Sequence, residues 1–216
     1  MLSIMKTYGQ YCGLARAAEI LGGRWTLVIL RDLLVGPKRF NELRRGIPGI
    51  PSNMLTNRLG DLERAEVVER AIDGRSVVYR LSDYGRDLEP ILLATGRWAS
   101  RRMDAPREGE QPTDSSLAAA LLTGRTETRV APFTVEVVAG PAVANAEVEE
   151  TGVSVAEGIL ADPDLRLCGP GLRHLLADGD VEVALSSGTI GVDGPASLVE
   201  EFARAFRVPL DASARH

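Results

Sequence analysis

The chain has 216 residues and a formal net charge of −5, from 25 Lys+Arg against 30 Asp+Glu. Residues 1–104 hold 17 basic and 12 acidic side chains, whereas residues 105–216 hold 8 and 18. A basic half can neutralise phosphates and an acidic half repels them, so the split predicts two domains with different partners. No apolar run is long enough to span a bilayer and no signal-peptide core is present, which predicts a cytoplasmic protein without membrane contact.

Cysteine and histidine usage argues against metal chemistry. The two cysteines, Cys12 and Cys168, and the two histidines, His174 and His216, form no zinc-ligand spacing and no CxxC pair. The sequence also lacks a P-loop, a dinucleotide-binding glycine fingerprint and a nucleophile elbow. We therefore expect no metal, no cofactor and no enzymatic activity.

Three predicted helices come first along the chain. Cys12–Leu21 carries apolar side chains on one face, and Gly22-Gly23 ends that helix. Trp25–Leu34 is apolar nearly all round, as expected of a central helix in a small core, and Gly36-Pro37 stops it. Arg39–Gly46 is short and basic, and a turn leads from it into a fourth helix, an order typical of a helix-turn-helix.

The fourth predicted helix, Pro51–Glu66, has the pattern of a helix that enters a DNA groove. Its buried stripe comprises Leu55, Leu59 and Leu62. Its opposite face is small, polar and almost uncharged, with Ser52, Asn53, Thr56 and Asn57. Short donors and acceptors of this kind suit base edges in a major groove, and Ser52 or Asn53 is expected to cap the helix start. The alternative is a plain amphipathic surface helix.

A β-hairpin is predicted directly after this helix. Two runs rich in β-branched residues, Val67–Ile72 and Arg75–Leu81, flank Asp73-Gly74, and Asp-Gly between such runs is a strong hairpin signal. A helix followed at once by a hairpin that carries arginines is the plan of a winged helix. The predicted DNA-contacting residues are Arg39, Ser52, Asn53, Thr56, Asn57, Arg58, Arg70, Arg75 and Arg80.

A long helix over Arg86–Met103 ends the basic half. Pro90 lies near its first turn, where proline is tolerated, or else marks a kink. The apolar side chains of this helix, with Trp98 among them, can pack against a second subunit or against their own domain, and we weigh both interpretations. We predict a first domain over residues 1–104, a charged linker with prolines and glycine over 105–113, and a second domain over 114–216.

The acidic half is predicted to be an α+β domain. The expected elements are a helix at Ser115–Leu122, strands at Phe133–Val138, Ala144–Glu149, Val153–Val155 and Leu165–Cys168, a helix at Gly171–Ala177, an ambiguous Val181–Leu185, a last strand within Ser187–Gly194, and a helix that starts at Pro195. Seven apolar residues are candidates to line a ligand cavity: Phe133, Val135, Val153, Leu167, Leu198, Phe202 and Phe206. In a domain this small they can equally form the core.

The first half closely resembles the HxlR-type winged-helix regulators of bacteria. The matching segments are Cys12–Ala18, Ile20–Leu27, Ile29–Arg31, Leu33-Leu34, Gly36-Pro37, Arg39–Leu43, Ile47–Ile50, Met54–Leu59, Leu62-Glu63 and Tyr79–Ser82 with Gly85. The resemblance implies a homodimeric transcription factor that dimerises through its terminal helices and binds double-stranded DNA at a two-fold operator. Two features depart from the family pattern: Gly13 stands where the family usually has proline, and the wing turn is short.

The second half resembles sterol-carrier-protein-like domains. The matching segments are Asp162–Leu167, Leu172–Leu176, Gly191–Pro195 and Phe202. That family encloses an apolar tunnel between a sheet and helices, so the resemblance implies an effector domain for a lipid or another apolar small molecule. The first hypothesis is therefore a dimeric DNA-binding regulator with an apolar effector. A lipid-carrying protein that uses its winged helix for protein contacts is another hypothesis, and the charge split and wing arginines favour DNA over it.

Cys12 is the one candidate reactive side chain. It lies at a predicted helix start with Arg16 one turn later, and backbone N–H groups together with a cation favour the thiolate. Some HxlR-type proteins sense oxidants or electrophiles through the cysteine at this position. The alternative is a small side chain packed in the dimer core. A redox-responsive regulator with a purely structural second domain is therefore the second hypothesis.

Overall fold

The computed structural model describes residues 7–103 and 106–210. The chain divides into two compact units, Met1–Leu92 and Leu93–His216, and each is described by itself below. Both helices and strands are present, as the predicted α+β class requires. Among the described residues, no helix combines the length and the apolar character needed to cross a bilayer.

The first unit contains the predicted helix-turn-helix. Its helices are α1 (Gly13–Leu21), α2 (Thr26–Val35), α3 (Phe40–Gly46) and α4 (Ser52–Arg64). Each starts one residue after its predicted start, so the prediction holds to within the usual uncertainty of helix ends. Among the four N-cap residues, Trp25 differs by its left-handed backbone conformation, with a φ of 78°.

The predicted cap of α4 is wrong. Pro51, not Ser52 or Asn53, occupies the N-cap position, in extended backbone, and makes no side-chain cap. Asn53 instead bonds locally, since its Oδ1 accepts a hydrogen bond from the Met54 backbone N–H at 2.9 Å. Pro51 fits the position because its ring fixes φ near the observed −68° and its carbonyl accepts the Leu55 N–H at 3.0 Å.

The wing is present, with its turn shifted by one residue from the prediction. Strands β1 (Val68–Asp73) and β2 (Ser76–Leu81) pair antiparallel, with Asp73 opposite Ser76. The two-residue loop is therefore Gly74-Arg75, not Asp73-Gly74. Gly74 takes a φ of 59° at the first central position, where a type II′ turn calls for glycine.

One apolar core holds the winged helix together. Leu55, Leu59 and Leu62 of α4 are at most 1% exposed, as the predicted stripe requires. They share this core with the following buried residues: Ile29, Leu30, Leu33, Leu43, Ile47, Ile50, Val67, Val68 and Leu81. Fully burying a leucine stabilises the fold by about 1.5–3 kcal/mol, so the stripe fixes the rotation of α4 about its axis.

The predicted long helix is interrupted. A short α5 (Asp83–Arg86) precedes α6 (Glu89–Ser100), so Pro90 lies in the first turn of α6, where no intrahelical donor is lost. Ser82 caps α5, because its hydroxyl oxygen accepts the Gly85 N–H at 2.9 Å. Leu92 packs against the winged-helix core.

Residues of α6 after Leu92 are bonded within the second unit. The Arg97 Nε donates to the Thr123 carbonyl at 2.7 Å, and its Nη2 donates to the Arg125 carbonyl at 3.1 Å. The Ser100 hydroxyl donates to the Pro209 carbonyl at 3.2 Å. These bonds explain why the compact units divide inside α6. The boundaries proposed from composition, at residues 104 and 114, remain predictions about independently folding domains.

The second unit is a sheet with helices, as predicted. Its elements are α7 (Asp114–Gly124), β3 (Phe133–Ala139), β4 (Ala142–Glu149), β5 (Gly152–Glu157), β6 (Leu165–Cys168), α8 (Leu172–Asp178), α9 (Val181–Ser186), β7 (Gly191–Asp193) and α10 (Ala196–Ala205). The strand order is β5-β4-β3-β6-β7, with β3 and β6 parallel and the other neighbours antiparallel. The ambiguous Val181–Leu185 segment is helical, because Asp180 caps it by accepting the Val183 N–H at 3.0 Å.

The residues proposed to line a cavity lie mainly in the core of this unit. Phe133, Val135, Leu167, Phe202 and Phe206 are buried, while Val153 and Leu198 are half-buried. The rings of Phe202 and Phe206 pack on each other with centroids 5.0 Å apart. Their arrangement matches the alternative weighed above, in which these side chains form the core.

Two glycines of the first unit give opposite stability predictions. A Cβ at Gly85 would meet the Val67 carbonyl oxygen at 2.0 Å, so Gly85→Ala is expected to lower the free energy of unfolding by about 1–3 kcal/mol. A Cβ at Gly60, inside α4, meets nothing closer than 3.5 Å, so Gly60→Ala should raise it by about 0.5–1 kcal/mol. Urea unfolding of the full chain measures both, and equal effects of the two changes would contradict the packing described.

Candidate nucleic-acid interface

The exposed face of α4 presents uncharged polar groups. Ser52, Asn53, Thr56 and Asn57 are all exposed. The Thr56 hydroxyl donates to the Ser52 carbonyl at 2.9 Å, which holds its rotamer. Within residues 7–103 and 106–210, the Asn57 amide makes no hydrogen bond, so its donors and acceptor are open to a partner. An amide of this kind can bond an adenine edge with two hydrogen bonds.

Exposed arginines lie on the preceding helix α3 and at its N-cap, and two of them were not among the sequence candidates. Arg44 and Arg45, in the last turn of α3, are exposed, and the Arg44 guanidinium donates to the Ser52 hydroxyl at 3.3 Å. Arg39, at the N-cap of α3, is exposed as predicted, and its backbone N–H donates to Glu42 at 2.7 Å. The basic character of the Arg39–Gly46 helix was the available signal for Arg44 and Arg45. Such cations suit phosphate contacts beside a groove helix.

Arg58 occupies a different environment from these exposed cations. Its side chain is 20% exposed and pairs with Asp61 at 3.1 Å. Its guanidinium also packs against Gly23, where an added Cβ would lie 2.5 Å from the Arg58 Nη1. Asp61 is buried and pairs with Arg64 as well. The geometry gives Arg58 a place between α4 and the turn that precedes α2.

The wing arginines fall into two groups. Arg70 forms two contacts with Glu63 of α4, at 2.6 and 2.9 Å, and its guanidinium lies 5.4 Å from the centre of the Tyr79 ring. The hydrogen bond that Arg70 donates to Glu63 raises the pKa of Arg70 above its usual value. Arg80 pairs with Glu69 across the hairpin at 2.7 Å. Arg75, in the turn, is exposed and has no ion pair with the described residues.

The N-terminal segment places Cys12 on the surface. Cys12 is the exposed N-cap of α1, and none of the nine residues of α1 is buried. The segment is tethered by Glu19, whose Oε1 accepts the Tyr8 N–H at 2.7 Å and the Thr7 hydroxyl at 2.9 Å. The Tyr8 N–H is the main cause of a lowered pKa at Glu19, so the tether holds at neutral pH and weakens as pH falls through that pKa.

The second unit contains an open groove of about 700 Å³. Its lining is mostly polar and charged: Arg125, Thr126, Glu127, Thr128, Arg129, Val130, Val148, Glu149, Glu150, Thr151, Gly152, Val153 and Ala205. Of the seven residues proposed to line an apolar cavity, only Val153 borders this groove. Cys168 is half-buried on β6. In the part of the chain that the structure describes, no cluster of His, Cys, Asp and Glu side chains could hold a metal ion.

A helix-turn-helix, a following hairpin and a polar helix face flanked by arginines define the first unit as a winged-helix DNA-binding module. The HxlR-like helix-turn-helix family model matches residues 20–107. Together with the relatives described next, this match shows that the chain belongs to the HxlR-like helix-turn-helix family, whose members here are transcriptional regulators.

Relatives from Bacillus subtilis (strain 168) match the same part of the chain. The uncharacterized HTH-type transcriptional regulator YdeP is 38% identical over 43% of this chain and 75% of its own length. The HTH-type transcriptional regulator YodB is 38% identical over 39% of this chain and 79% of its own. A solved structure of the redox regulator HypR in its oxidized form is 35% identical, covering 44% of this chain and 100% of that chain, with a TM-score of 0.41.

Variants of Arg58 and Arg45 test the contrast between an arginine held in an ion pair and an exposed arginine. Arg58→Ala should lower the free energy of unfolding by about 1–2 kcal/mol, because it removes a partner of the buried Asp61, and should leave the salt dependence of DNA binding unchanged. Arg45→Ala should leave stability unchanged and reduce the slope of log affinity against log salt by about one. Thermal melting and fluorescence anisotropy measure the two effects. If Arg58→Ala reduced the slope of log affinity against log salt, Arg58 would contact a phosphate, and the structural role given to it here would be wrong.

Proposed function

We propose that the protein is a dimeric transcriptional regulator that reads DNA through the exposed face of α4. Membership of the HxlR-like family supports transcriptional regulation through DNA. The observation that carries the finer proposal is the open, uncharged face centred on Asn57, which Arg44 contacts at Ser52, while Arg39 and Arg45 are exposed on the preceding helix α3 and its N-cap. The arginines supply sequence-independent affinity for phosphates, and the polar side chains discriminate among bases.

An ordinary solvated helix face does not explain this surface as well. The exposed positions of α4 near its start carry Ser, Asn, Thr and Asn, whereas its charged residues Arg58, Asp61 and Glu63 are held in ion pairs. A helix face that contacts only water usually carries lysine or glutamate rather than short amides and hydroxyls. It does match the donor and acceptor pattern that a base pair presents in the major groove.

Asn57→Ala should therefore separate specific from general DNA binding. On a duplex that the wild-type protein selects from a randomised library, the change should cost about 1–3 kcal/mol of binding free energy, with little loss on a random duplex of the same length. Fluorescence anisotropy at fixed salt measures both affinities. Gln111→Ala, an exposed amide outside the first unit, is the matched control. Equal losses on the two duplexes would remove Asn57 from base recognition.

Exposed apolar side chains support the dimeric part of the proposal. Tyr11, which precedes α1, and Leu14, within α1, are exposed, and α1 buries none of its residues. On α6, Ile91 and Trp98 are exposed seven residues apart, which places them on the same helix face. A second copy that covers such faces explains why they are apolar, and a two-fold dimer would match an operator with two half-sites.

Leu14→Asp should shift the protein from dimer to monomer in sedimentation equilibrium. A buried, unpaired carboxylate in the contact is costly, so the dimer dissociation constant should rise at least a hundredfold. Ile159→Asp, a change at an equally exposed apolar residue of the second unit, is the control and should sediment as wild type. A Leu14→Asp protein that remains dimeric would exclude α1 from the interface.

Redox control through Cys12 is the second candidate function. Its support is the exposed thiol at the N-cap of the nine-residue helix α1, where a reagent in solution can reach it. A position in the dimer contact is the other explanation of the residue. Mild oxidant should abolish DNA binding by the wild type and leave Cys12→Ser binding unchanged. Identical responses in an anisotropy titration would reduce Cys12 to packing.

The apolar effector remains a prediction from resemblance. Its candidate residues are mainly packed against one another, and the groove of the second unit has a polar lining. A lipid or other apolar molecule would therefore have to open the core around Phe202 and Phe206 to bind there. The transcriptional role proposed above depends only on the first unit and on dimerisation, and it does not require such a ligand.

A further inference from the structure

The two edges of the sheet in the second unit differ in length and in protection. The strand order places β7 at one edge and β5 at the other. β7 has three residues and carries the exposed Asp193, whereas β5 has six residues and contains no lysine, proline or bulge. Natural sheets usually protect an exposed edge by shortness, charge or proline, because its unpaired N–H and C=O groups can bind another strand. β5 lacks these protections.

Glu157, the one charged residue of β5, is bonded within its own unit. Its carboxylate accepts a hydrogen bond from the Ser115 hydroxyl of α7. Ser154 and Ala156, which lie on the other face of the strand, are small and exposed. Among the residues that the structure describes, β5 pairs with β4 alone. The outer edge of β5 therefore presents neither a bulky side chain nor an unbonded charge to a further strand.

The ladder between β4 and β5 identifies the backbone groups that point away from the sheet. The Gly158 N–H donates to the Val143 carbonyl at 2.9 Å, which continues this ladder by one residue. In an antiparallel pair, residues that bond the neighbouring strand alternate with residues that do not, so every second residue counted back from Gly158 faces β4. The residues whose N–H and C=O groups point outward are therefore Val153, Val155 and Glu157.

We propose that β5 pairs with β5 of a second copy of the chain, antiparallel and about a two-fold axis at Val155. This register lets all three outward-facing residues form backbone hydrogen bonds, with Val153 opposite the partner's Glu157. Ser154 then lies opposite the partner's Ala156, and no acidic residue lies opposite another. A register centred on Ser154 would instead place Glu157 opposite a residue of the β4–β5 turn and lose hydrogen bonds. The edge is self-complementary only in the register centred on Val155.

The length of β5 sets the strength of this contact. Two six-residue strands bury less surface than the roughly 1,200 Å² of a stable interface, so β5 alone gives weak association. Two chains already joined through α1 would raise the effective concentration of one β5 for the other to roughly millimolar. The strength of the pairing therefore rests on the dimer of the proposed function, whereas its register follows from β5 itself.

Cysteine cross-linking of the full chain tests this register. In a chain that carries Cys12→Ser and Cys168→Ser, the double variant Ser154→Cys, Ala156→Cys places each thiol directly opposite a thiol of the partner. Such residues lie about 4.5 Å apart at Cα, within disulfide range. Diamide should give a covalent dimer on a non-reducing gel at least tenfold faster than for either single variant, whose equivalent cysteines are about 7–8 Å apart.

Exposed cysteines elsewhere in the second unit provide the matched control. Val183→Cys with Leu185→Cys places two exposed thiols two residues apart on α9. This variant should cross-link no faster than the single variants of β5. Equal rates for the two double variants would overturn the pairing, because chance collision would then explain the cross-link.

A pair of charge variants tests the same register without cysteines. Ser154→Lys with Ala156→Lys sets like charges opposite each other, so the dimer dissociation constant in sedimentation equilibrium should rise about tenfold. Ser154→Lys with Ala156→Glu sets opposite charges there and should associate at least as well as wild type. Both changes are at exposed positions, so circular dichroism should show wild-type folding. Equal association of the two variants would contradict the register.

Leu14→Asp, added to the double cysteine variant of β5, separates this inference from the proposed dimer. Slower cross-linking in that chain would support both contacts. Cross-linking at an unchanged rate would retain the β5 pairing and reject the contribution of α1. If Leu14→Asp dissociates the dimer but the cysteine variant with Leu14 intact does not cross-link, the β5 pairing alone is rejected.

Discussion

Burial of the leucine stripe of α4 is the constraint on which the DNA-facing surface depends. Leu55, Leu59 and Leu62 occupy the winged-helix core at one-turn intervals, so the helix cannot rotate without exposing them. The same rotation directs Thr56 and Asn57 outward. The side chains proposed to contact bases therefore take no part in the core.

Ion pairs extend this constraint to the neighbouring elements. Glu63 of α4 holds Arg70 of β1, and Arg58 of α4 packs against Gly23 in the turn before α2. Lys38 joins the wing through backbone hydrogen bonds with Tyr79, at 2.8 and 2.9 Å. The Glu63–Arg70 pair is partly exposed and contributes little stability by itself, but it links α4 directly to the wing. The arginines of this module thus form two groups: Arg58 and Arg70 are held in ion pairs, whereas the exposed Arg45 is proposed to bind phosphate.

The sequence predicted the elements well and the contacts poorly. Periodicity located the four helices of the first unit and the strands of the second to within a few residues, because burial of one face leaves a repeating pattern. Local chemistry decided the misses. Pro51 is the N-cap in place of the expected Ser52 or Asn53, and the wing turn is Gly74-Arg75. In both places several neighbouring residues are suited to the position, so the sequence alone does not choose among them. The helix predicted over Arg86–Met103 is likewise shorter, Glu89–Ser100, and a separate short helix, α5, ends at Arg86.

The status of the wing arginines could not be read from the sequence. Glu63 and Arg70 are separated by a change of secondary structure, and Glu69 meets Arg80 only through the hairpin register. The ligand cavity proposed for the second unit could not be tested from the sequence either. The same pattern of apolar residues results whether they enclose a ligand or pack against one another. Phe202 and Phe206 pack on each other. The exposure of Asn57, by contrast, could be predicted, because it follows from the helical period of the buried leucines.

Site-directed cleavage of DNA tests the central claim about α4 most directly. The experiment tethers an iron chelate to Asn57→Cys in a chain whose own cysteines carry Cys12→Ser and Cys168→Ser, bound to the selected duplex. If α4 lies in the major groove of each half-site, cleavage should occur at two clusters of positions related by two-fold symmetry, with the offset between strands that a major-groove source produces. The same chelate on Ile159→Cys should give no such clusters. Absent cleavage from position 57, or a pattern shared with position 159, would contradict the placement of α4 in the groove.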